Sequence, residues 1–316
     1  MKKLIAILLV AATAMLCGCS ANDDVIRFGA AGEGGVYHRT ADSLSQLAAA
    51  DGSLKIEVKT TAGSAANVRL LSQGYLDAAI AQSDIINDAY NGENSFSTAY
   101  NDYSALAALY TEVCHIIVRT DSDIDSVDDL LGKTVSVGEA ESGSALNAKQ
   151  ILSAYGLNEK MYTAVNLNYE KSVSQLVSGD IDALFWTVGI NADVVSKLSE
   201  QCSIRIIGID KAAFDKLKSS YPYFECKIPQ NTYEGQNDEI HTAAVKSVLI
   251  VSNKLSDDKV KSLARLIFDN SDKIGESVSA DFDITLENAV KGVDIPFHKG
   301  AAQYYSENGI EVNTAK

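Results

Sequence analysis

The chain has 316 residues, with 42 aspartates and glutamates against 27 lysines and arginines, and a net charge of −15. With this excess of acidic residues, the protein lacks the basic surface of a nucleic-acid-binding protein, so no nucleic-acid partner is expected. The length allows one large core or two smaller ones. The four histidines are scattered and no Cys-x-x-Cys pair occurs, so neither a metal site nor a cofactor is expected.

The first 20 residues have the pattern of a secretory signal peptide. A lysine-containing start precedes an apolar run at residues 4–16, which is shorter than the roughly 20 apolar residues that span a bilayer. Residues 16–20 then resemble the lipobox of bacterial lipoproteins. That resemblance implies a signal peptide at 1–18, lipidation of Cys19 and a linker at 19–24. The protein is therefore expected outside the cytoplasm, lipid-anchored to the cell membrane on its periplasmic or outer face. The alternative is an ordinary signal peptide that happens to end in cysteine.

Three further cysteines, Cys114, Cys202 and Cys226, allow at most one disulfide within the chain. Cys202 and Cys226 are the best candidates for it because both flank apolar runs in the same region. The alternative is that all three are buried free thiols.

Strand-like and helix-like segments alternate after residue 24, and this order predicts an α/β fold with a largely parallel sheet. Some glycines follow predicted strands. Others end predicted helices, where the left-handed conformation of the cap favours glycine. The first predicted elements are a strand at 25–29, a glycine-rich turn at 32–35, a helix at 36–50, a strand at 54–59, a helix at 65–73 and a strand at 76–81.

A similar module recurs, with a strand at 135–138 and a helix at 145–155 that ends before Gly156. The glycine and aspartate at 74 and 77 return at 179 and 182, an offset of 105 residues, whereas the glycines at 63 and 143 are offset by 80. We interpret the recurrence as two related α/β lobes, the second with an insertion. Chance similarity between ordinary α/β units is the alternative.

Three helix starts, at residues 32–37, 63–67 and 142–144, follow predicted strands. A helix N-terminus presents unpaired N–H groups and a partial positive charge, so it receives carboxylates and phosphates. In parallel sheets, ligands bind at this edge. Polar side chains there could add hydrogen bonds, although simple N-capping explains each one singly.

The sequence resembles the TAXI group of solute receptors, the extracytoplasmic partners of TRAP transporters, over nearly the whole mature chain. Each matching stretch is weak evidence when taken alone. The resemblance is specific because all the stretches occur together and in the same order. The stretches are residues 28–37, 60–64, 67–71, 79–84, 106–112, 129–138, 221–223, 228–229 and 232–236.

This resemblance implies a two-lobed, type II-like periplasmic-binding-protein fold in which each lobe is a mostly parallel sheet flanked by helices. Lobe one is expected at 25–112 and 242–316, and lobe two at 113–241. Hinge strands should lie near 107–118 and 242–251, and helices at about 257–270 and 287–291 should pack on lobe one. The implied ligand-binding residues are Gly35, Tyr37, Ser64, Asn67 and Gln82 from lobe one, and Ser142, Gly143, Ser144, Trp186 and Gly189 from lobe two.

The resemblance also implies a function: a monomeric receptor that closes on an amino acid or small carboxylate and delivers it to an ion-coupled TRAP permease. Glutamate, glutamine or 2-oxoglutarate are the expected solutes. The alternatives are the binding component of an ATP-driven importer and a sensor lipoprotein that signals to a membrane kinase. No enzyme is expected, because the sequence has neither a GxSxG elbow nor a phosphate-binding Walker loop.

Overall fold

The computed structural model describes residues 24–278, 282 and 284–315. The predicted signal peptide, the lipidation site Cys19 and the predicted linker up to residue 23 lie outside the described residues. In the described part of the chain, no helix combines the length and apolar character needed to cross a membrane.

Strands and helices alternate along most of the chain. In the first half they are β1 (Val25–Gly29), α1 (Val36–Asp51), β2 (Lys55–Lys59), α2 (Ser64–Ser72), β3 (Ala78–Gln82), α3 (Ser83–Asn91), β4 (Tyr103–Arg119), β5 (Thr134–Ser136) and α4 (Gly143–Ala154). The remainder are β6 (Thr163–Val165), α5 (Tyr169–Ser178), β7 (Ala183–Gly189), α6 (Asp193–Ser199), β8 (Ile204–Ile207), α7 (Lys211–Ser220), β9 (Phe224–Ile228), β10 (Ile240–Ser252), α8 (Asp257–Asp269), α9 (Ser271–Val278) and α10 (Lys299–Glu307).

Lobe one is built on the strand order β2-β1-β3-β10-β4. β1 runs parallel to β2 and β3, while β10 is antiparallel to β3 and β4. Helix α1 packs on this sheet because its buried residues recur every three or four positions. They are Val36, Tyr37, Thr40, Ala41, Leu44 and Ala48. Gly52, with φ of 70°, caps the helix, which confirms the helix predicted at 36–50 to within one residue.

Lobe two repeats the parallel core with β7, β5 and β6. The two aspartates of the sequence repeat have equivalent roles: Asp77 Oδ2 accepts the amide N–H of Arg27 at 2.9 Å, and Asp182 Oδ2 accepts that of Thr134 at 2.7 Å. Each carboxylate thus fixes a neighbouring strand of its own lobe. The shared contact supports the interpretation of the recurrence as two related lobes.

Two long strands, β4 and β10, connect the lobes. The first half of β4 pairs with β10, and its second half pairs with β7 and β8. β10 leaves β9 after Ala244 and pairs with β3 from Ser247, a few residues beyond the expected boundary at 241/242. The strands exchange lobes where Glu112 and Val245 face each other in register. The two-lobed architecture and its hinge strands agree with the predicted fold class.

The C-terminal region differs from prediction at residues 287–291 and in helix α9, which was not predicted. The helix predicted at 257–270 is α8, whereas residues 287–291 form turns, because so short a segment gains too few hydrogen bonds to offset the cost of starting a helix. Helix α10 was not predicted. It packs on lobe one, where Tyr305 Oη donates to the Leu106 carbonyl at 3.0 Å.

The predicted disulfide between Cys202 and Cys226 was wrong, because both thiols are free. The two cysteines belong to different edges of the sheet. Cys202 precedes β8, which pairs with the far end of β4, whereas Cys226 lies in β9 opposite Thr242. The third cysteine, Cys114, is a buried free thiol.

Candidate functional site

A cavity of about 60 Å³ lies between the lobes, where β1, β3 and β7 end. This is several times the 10–15 Å³ or so that one water molecule needs, so the closed cleft has room for a small solute. Eight of the ten predicted binding residues line it: Gly35, Tyr37, Ser64, Gln82, Ser142, Gly143, Ser144 and Trp186.

The N-termini of α1, α2 and α4 converge on this cavity, two from lobe one and one from lobe two. The starts of α2 and α4 nearly touch, since a Cβ atom added to Gly63 would lie 3.1 Å from Ser142 Cα. Gly63 has a φ of 125°, a backbone conformation that residues other than glycine rarely adopt. The sequence therefore places a glycine where backbone conformation and close approach of the other lobe both demand one.

The serines at these starts organise the cavity wall. Ser64 Oγ accepts the N–H of Gln82 at 3.1 Å, and Ser144 Oγ accepts the N–H of Thr187 at 2.9 Å. Ser142 caps α4 by accepting the N–H of Ala145 at 3.1 Å. Each hydroxyl thus fixes a neighbouring segment while retaining a proton to donate.

The structure adds a residue that the sequence analysis did not find, Glu112. It lies in β4 at the hinge and is only 3% exposed. Its carboxylate accepts hydrogen bonds from Tyr37 Oη at 2.9 Å and Tyr110 Oη at 3.0 Å. Burial raises the pKa of Glu112 to about 7, against the opposing effect of these tyrosine hydrogen bonds.

Lobe two contributes aromatic and acidic groups. Tyr169 and Trp186 meet edge to face with ring centroids 5.3 Å apart. Tyr169 also closes over lobe one, since a Cβ atom on Gly35 would lie 3.1 Å from its ring. Glu139 is a second acid at the cavity, and burial raises its pKa. The sequence held one signal for Glu139, which is its position in a turn directly after a predicted strand.

Asn67 and Gly189 do not line the cavity. Asn67 is fully buried below the start of α2, where its Nδ2 donates to the Ile80 carbonyl at 2.8 Å and its Oδ1 accepts from Thr61 Oγ1 at 2.6 Å. Gly189 ends β7 and pairs in register with Glu112. Asn67 therefore joins strands and helix within lobe one, and Gly189 belongs to the hinge region of the sheet.

Contacts outside the cavity hold the two lobes together. The amides of Ala65 and Ala66 in α2 both donate to the carbonyl of Glu141, at 3.1 and 3.2 Å. The Glu141 side chain pairs with Arg69 at 2.7 Å, and Arg39 pairs with Asp193 at 2.7 Å. The structure is therefore that of the closed molecule.

A buried polar cluster joins the lobes behind the cavity. Asp84 Oδ2, in lobe one, accepts from Asn147 Nδ2 of lobe two at 2.9 Å, and Asn147 Nδ2 lies 2.6 Å from Tyr223 Oη. Burial raises the pKa of Asp84 to about 7. Asp84 Oδ1 and Asn147 Oδ1 have no hydrogen-bond partner among the described residues.

Solved structures share this fold. PhnD1 from Prochlorococcus marinus, solved with methylphosphonate, is 12% identical with a TM-score of 0.58 over 86% of this chain and 96% of its own. A putative L-cystine ABC transporter from Listeria monocytogenes is 15% identical with a TM-score of 0.53 over 83% and 98%. A binding-protein component of an ABC phosphonate transporter from Pseudomonas aeruginosa is 14% identical with a TM-score of 0.53 over 82% and 80%.

At these identities the structural likeness is evidence of a common two-lobed binding-protein fold and not of a common ligand. The sequence itself gives a closer relationship. A model of the NMT1-like family matches residues 28–309, which is most of the chain and includes every residue that lines the cavity. The chain therefore belongs to the NMT1-like family.

Proposed function

We propose that this protein is an extracytoplasmic solute-binding protein that captures a small polar solute by closing its two lobes. The observation that carries the proposal is the cavity between the lobes, on which helix N-termini from both lobes converge. Such N-termini favour a carboxylate, phosphonate or similar anionic group on the solute. Rigid closure about a few hinge residues is the usual motion of this fold.

A membrane transporter is the proposed recipient of the solute. The structural neighbours whose names include a transporter class are components of ABC systems, and they favour an ATP-driven importer. The resemblance of the sequence to TAXI receptors favours an ion-coupled TRAP permease, which is the second candidate. We further propose that the lipid on Cys19 holds the protein at the membrane beside its transporter.

Solute capture can be tested by thermal unfolding of the purified protein with a panel of amino acids, 2-oxo acids, dicarboxylates and phosphonates. A solute at 100 times its dissociation constant should stabilise the protein by about 2.7 kcal/mol. Trp186 lines the cavity, so its fluorescence should change with the same solute. The absence of stabilisation by any member, with no small molecule co-purifying, would exclude the proposed function.

The double variant Ser64→Ala and Ser144→Ala tests the position of the site. Loss of the two hydroxyls should weaken solute binding about 10-fold or more, because each contributes roughly 1 kcal/mol of hydrogen bonding. Ser178→Ala is a matched control, since its exposed hydroxyl lies at the end of α5, away from the cavity, and donates to Gln175 and Asp180 nearby in the chain. Equal affinity of the double variant and the control would place the solute elsewhere.

The recipient can be identified by cross-linking the solute-loaded protein in membranes and sequencing the cross-linked partner. An ABC permease would support the ATP-driven importer, and a TRAP membrane subunit would support the ion-coupled reading. A histidine kinase would exclude both and would favour a sensor.

A further inference from the structure

The charges of the cavity differ from those expected of a site for a simple anion. Its charged lining residues, in the described part of the chain, are the acids Glu112 and Glu139, and no lysine, arginine or histidine lines it. The nearby arginines Arg39 and Arg69 are engaged in the ion pairs between the lobes. Helix N-termini are thus the source of positive potential at the cavity, and acidic groups supply negative potential beside them.

Among the described residues, no cationic group pairs with the buried carboxylate of Glu112. Its two carboxylate oxygens each accept one tyrosine hydroxyl, and the Gln82 side chain also hydrogen-bonds to it. A carboxylate has acceptor sites for about four hydrogen bonds, so capacity remains for a further donor. Burying a carboxylate is costly unless a charge of opposite sign pairs with it. A cation from the solute would provide that charge.

Gln82 offers a second, unused acceptor at the same place. The side chain lines the cavity and is 2% exposed, yet its Oε1 has no hydrogen-bond partner among the described residues. An unsatisfied buried acceptor is unfavourable and marks a position where a ligand donor is missing. Because Glu112 and Gln82 Oε1 both accept, the complementary ligand group is one with several N–H donors, as an ammonium has.

The acidic group and a helix start are close together. Tyr37 Oη lies 2.9 Å from Glu112 Oε2 and 3.4 Å from the Oγ atom of Ser64, which is the first residue of α2. One hydroxyl therefore separates the acceptors from the start of α2. Because the Ala65 and Ala66 amides there donate to the Glu141 carbonyl, the starts of α1 and α4 are the ones at the cavity that can receive a ligand carboxylate. A ligand that fits both must carry its positive and negative groups close together, as an α-amino acid does.

We infer that the solute is a zwitterion of the α-amino acid type, with its ammonium held by Glu112 and Gln82 and its carboxylate at the helix N-termini. This inference rests on the proposed function and narrows its ligand class. It separates amino acids from 2-oxo acids, dicarboxylates and phosphonates, which lack a cation. Glu112 thereby becomes the residue that determines specificity for the amine.

The test uses pairs of solutes that differ only at the amine. Isothermal titration calorimetry would compare each of the twenty common L-amino acids with its 2-oxo analogue where one is stable, for example L-glutamate with 2-oxoglutarate and L-alanine with pyruvate. Methylphosphonate would complete the set. For the amino acid that binds, the 2-oxo analogue should bind at least about 10- to 100-fold more weakly, the usual effect of a charge-assisted hydrogen bond.

Glu112→Gln should weaken binding of that amino acid by a similar factor and leave binding of the 2-oxo analogue almost unchanged. Glu307→Gln is the matched control, because Glu307 is an exposed acid on α10 that pairs with Lys261 and does not line the cavity, so this variant should retain the preference for the amine. Circular dichroism checks that both variants fold. If Glu112→Gln does not fold, the wild-type comparison of paired solutes still decides the question.

Two results would overturn the inference while leaving solute capture intact. One is a 2-oxo acid or phosphonate that binds as tightly as its amine-bearing counterpart. The other is a folded Glu112→Gln variant with the amino-acid affinity of the wild type. A protein that binds no member of the set and carries no co-purified small molecule would instead overturn the proposed function itself.

Discussion

Glu112 couples solute binding to pH at the scale of a single residue. Burial in the closed structure raises its pKa to about 7, so it is largely protonated at pH 6 and largely ionised at pH 8. A solute ammonium pairs with the ionised form and stays charged over this range. Binding of an amine-bearing solute should therefore strengthen about 10-fold from pH 6 to pH 8, following the ionised fraction.

The groups facing Glu112 define the controls for this experiment. Tyr37, Tyr110 and Tyr169 have raised pKa values and stay neutral, whereas Asp84 titrates in the same range and Glu139 has a raised pKa. Asp84 opposes Glu112 in the wild type, because closure raises the pKa of Asp84 and takes up a proton over the same pH range. The profile is therefore measured in Asp84→Asn, where the rise in affinity with pH should disappear when Glu112→Gln is added and persist when Glu139→Gln is added. Affinity that falls with rising pH in Asp84→Asn would contradict the proposed role of Glu112.

Residues of the cavity differ in how well their sequence signals predict them. Ser64, Ser142 and Ser144 stand at helix starts after strands, so local pattern and backbone chemistry predict their position. Glu112 carries no such signal, since it interrupts an apolar stretch that was predicted only as a hinge strand. Its environment is created by residues from α1, β3 and β4, and no local pattern encodes a pocket assembled from separate segments.

Among the elements, helix α2 has a start that is constrained by closure of the lobes. Gly63→Ala should abolish solute binding, because the added Cβ atom meets the Ser142 backbone of lobe two and the φ of 125° is unfavourable for alanine. Titration calorimetry would measure the loss. Small-angle scattering should show that the variant stays open when solute is added.

A second glycine separates backbone strain from the clash between lobes. Gly74 also has positive φ, 78°, but nothing lies within 4 Å of its added Cβ atom. Gly74→Ala should therefore lower the free energy of unfolding by about 1 kcal/mol and keep solute affinity. Comparable affinities in Gly63→Ala and Gly74→Ala would show that the approach of Ser142 does not control closure.

Helices and strands were predictable where periodicity and glycine caps coincide, as in α1, α2 and the parallel strands of lobe one. Prediction failed where tertiary contacts define the element. Helix α10 is fixed by its packing on lobe one, including the hydrogen bond of Tyr305, and residues 287–291 are too few to sustain a helix. The predicted disulfide failed for a related reason. Cys202 and Cys226 are close in sequence, but sequence distance does not show which edge of the sheet each cysteine occupies.

At the scale of the whole molecule, the buried cluster around Asp84 links lobe closure to protonation. Asp84 lies in lobe one and accepts from Asn147 of lobe two, so closure removes it from solvent. Its pKa is raised to about 7 in the closed form, chiefly by desolvation, with the nearby Asp88 adding to the increase. The contribution of Asp84 to stability is therefore greatest below about pH 4 and is lost as the pH rises through 7.

Asp84→Asn should remove this penalty at high pH. The amide keeps an acceptor for Asn147 Nδ2, supplies a donor for the unpartnered Asn147 Oδ1, and carries no charge to bury. Thermal unfolding at pH 8 should show a melting temperature at least about 2 °C above the wild type, and the difference should shrink at pH 5. Asp215→Asn, whose exposed carboxylate pairs with Lys211 of the same helix in lobe two, is the control and should show no such pH dependence. A destabilised Asp84→Asn variant at pH 8 would mean that the cluster holds an ionised Asp84 and that closure takes up no proton there.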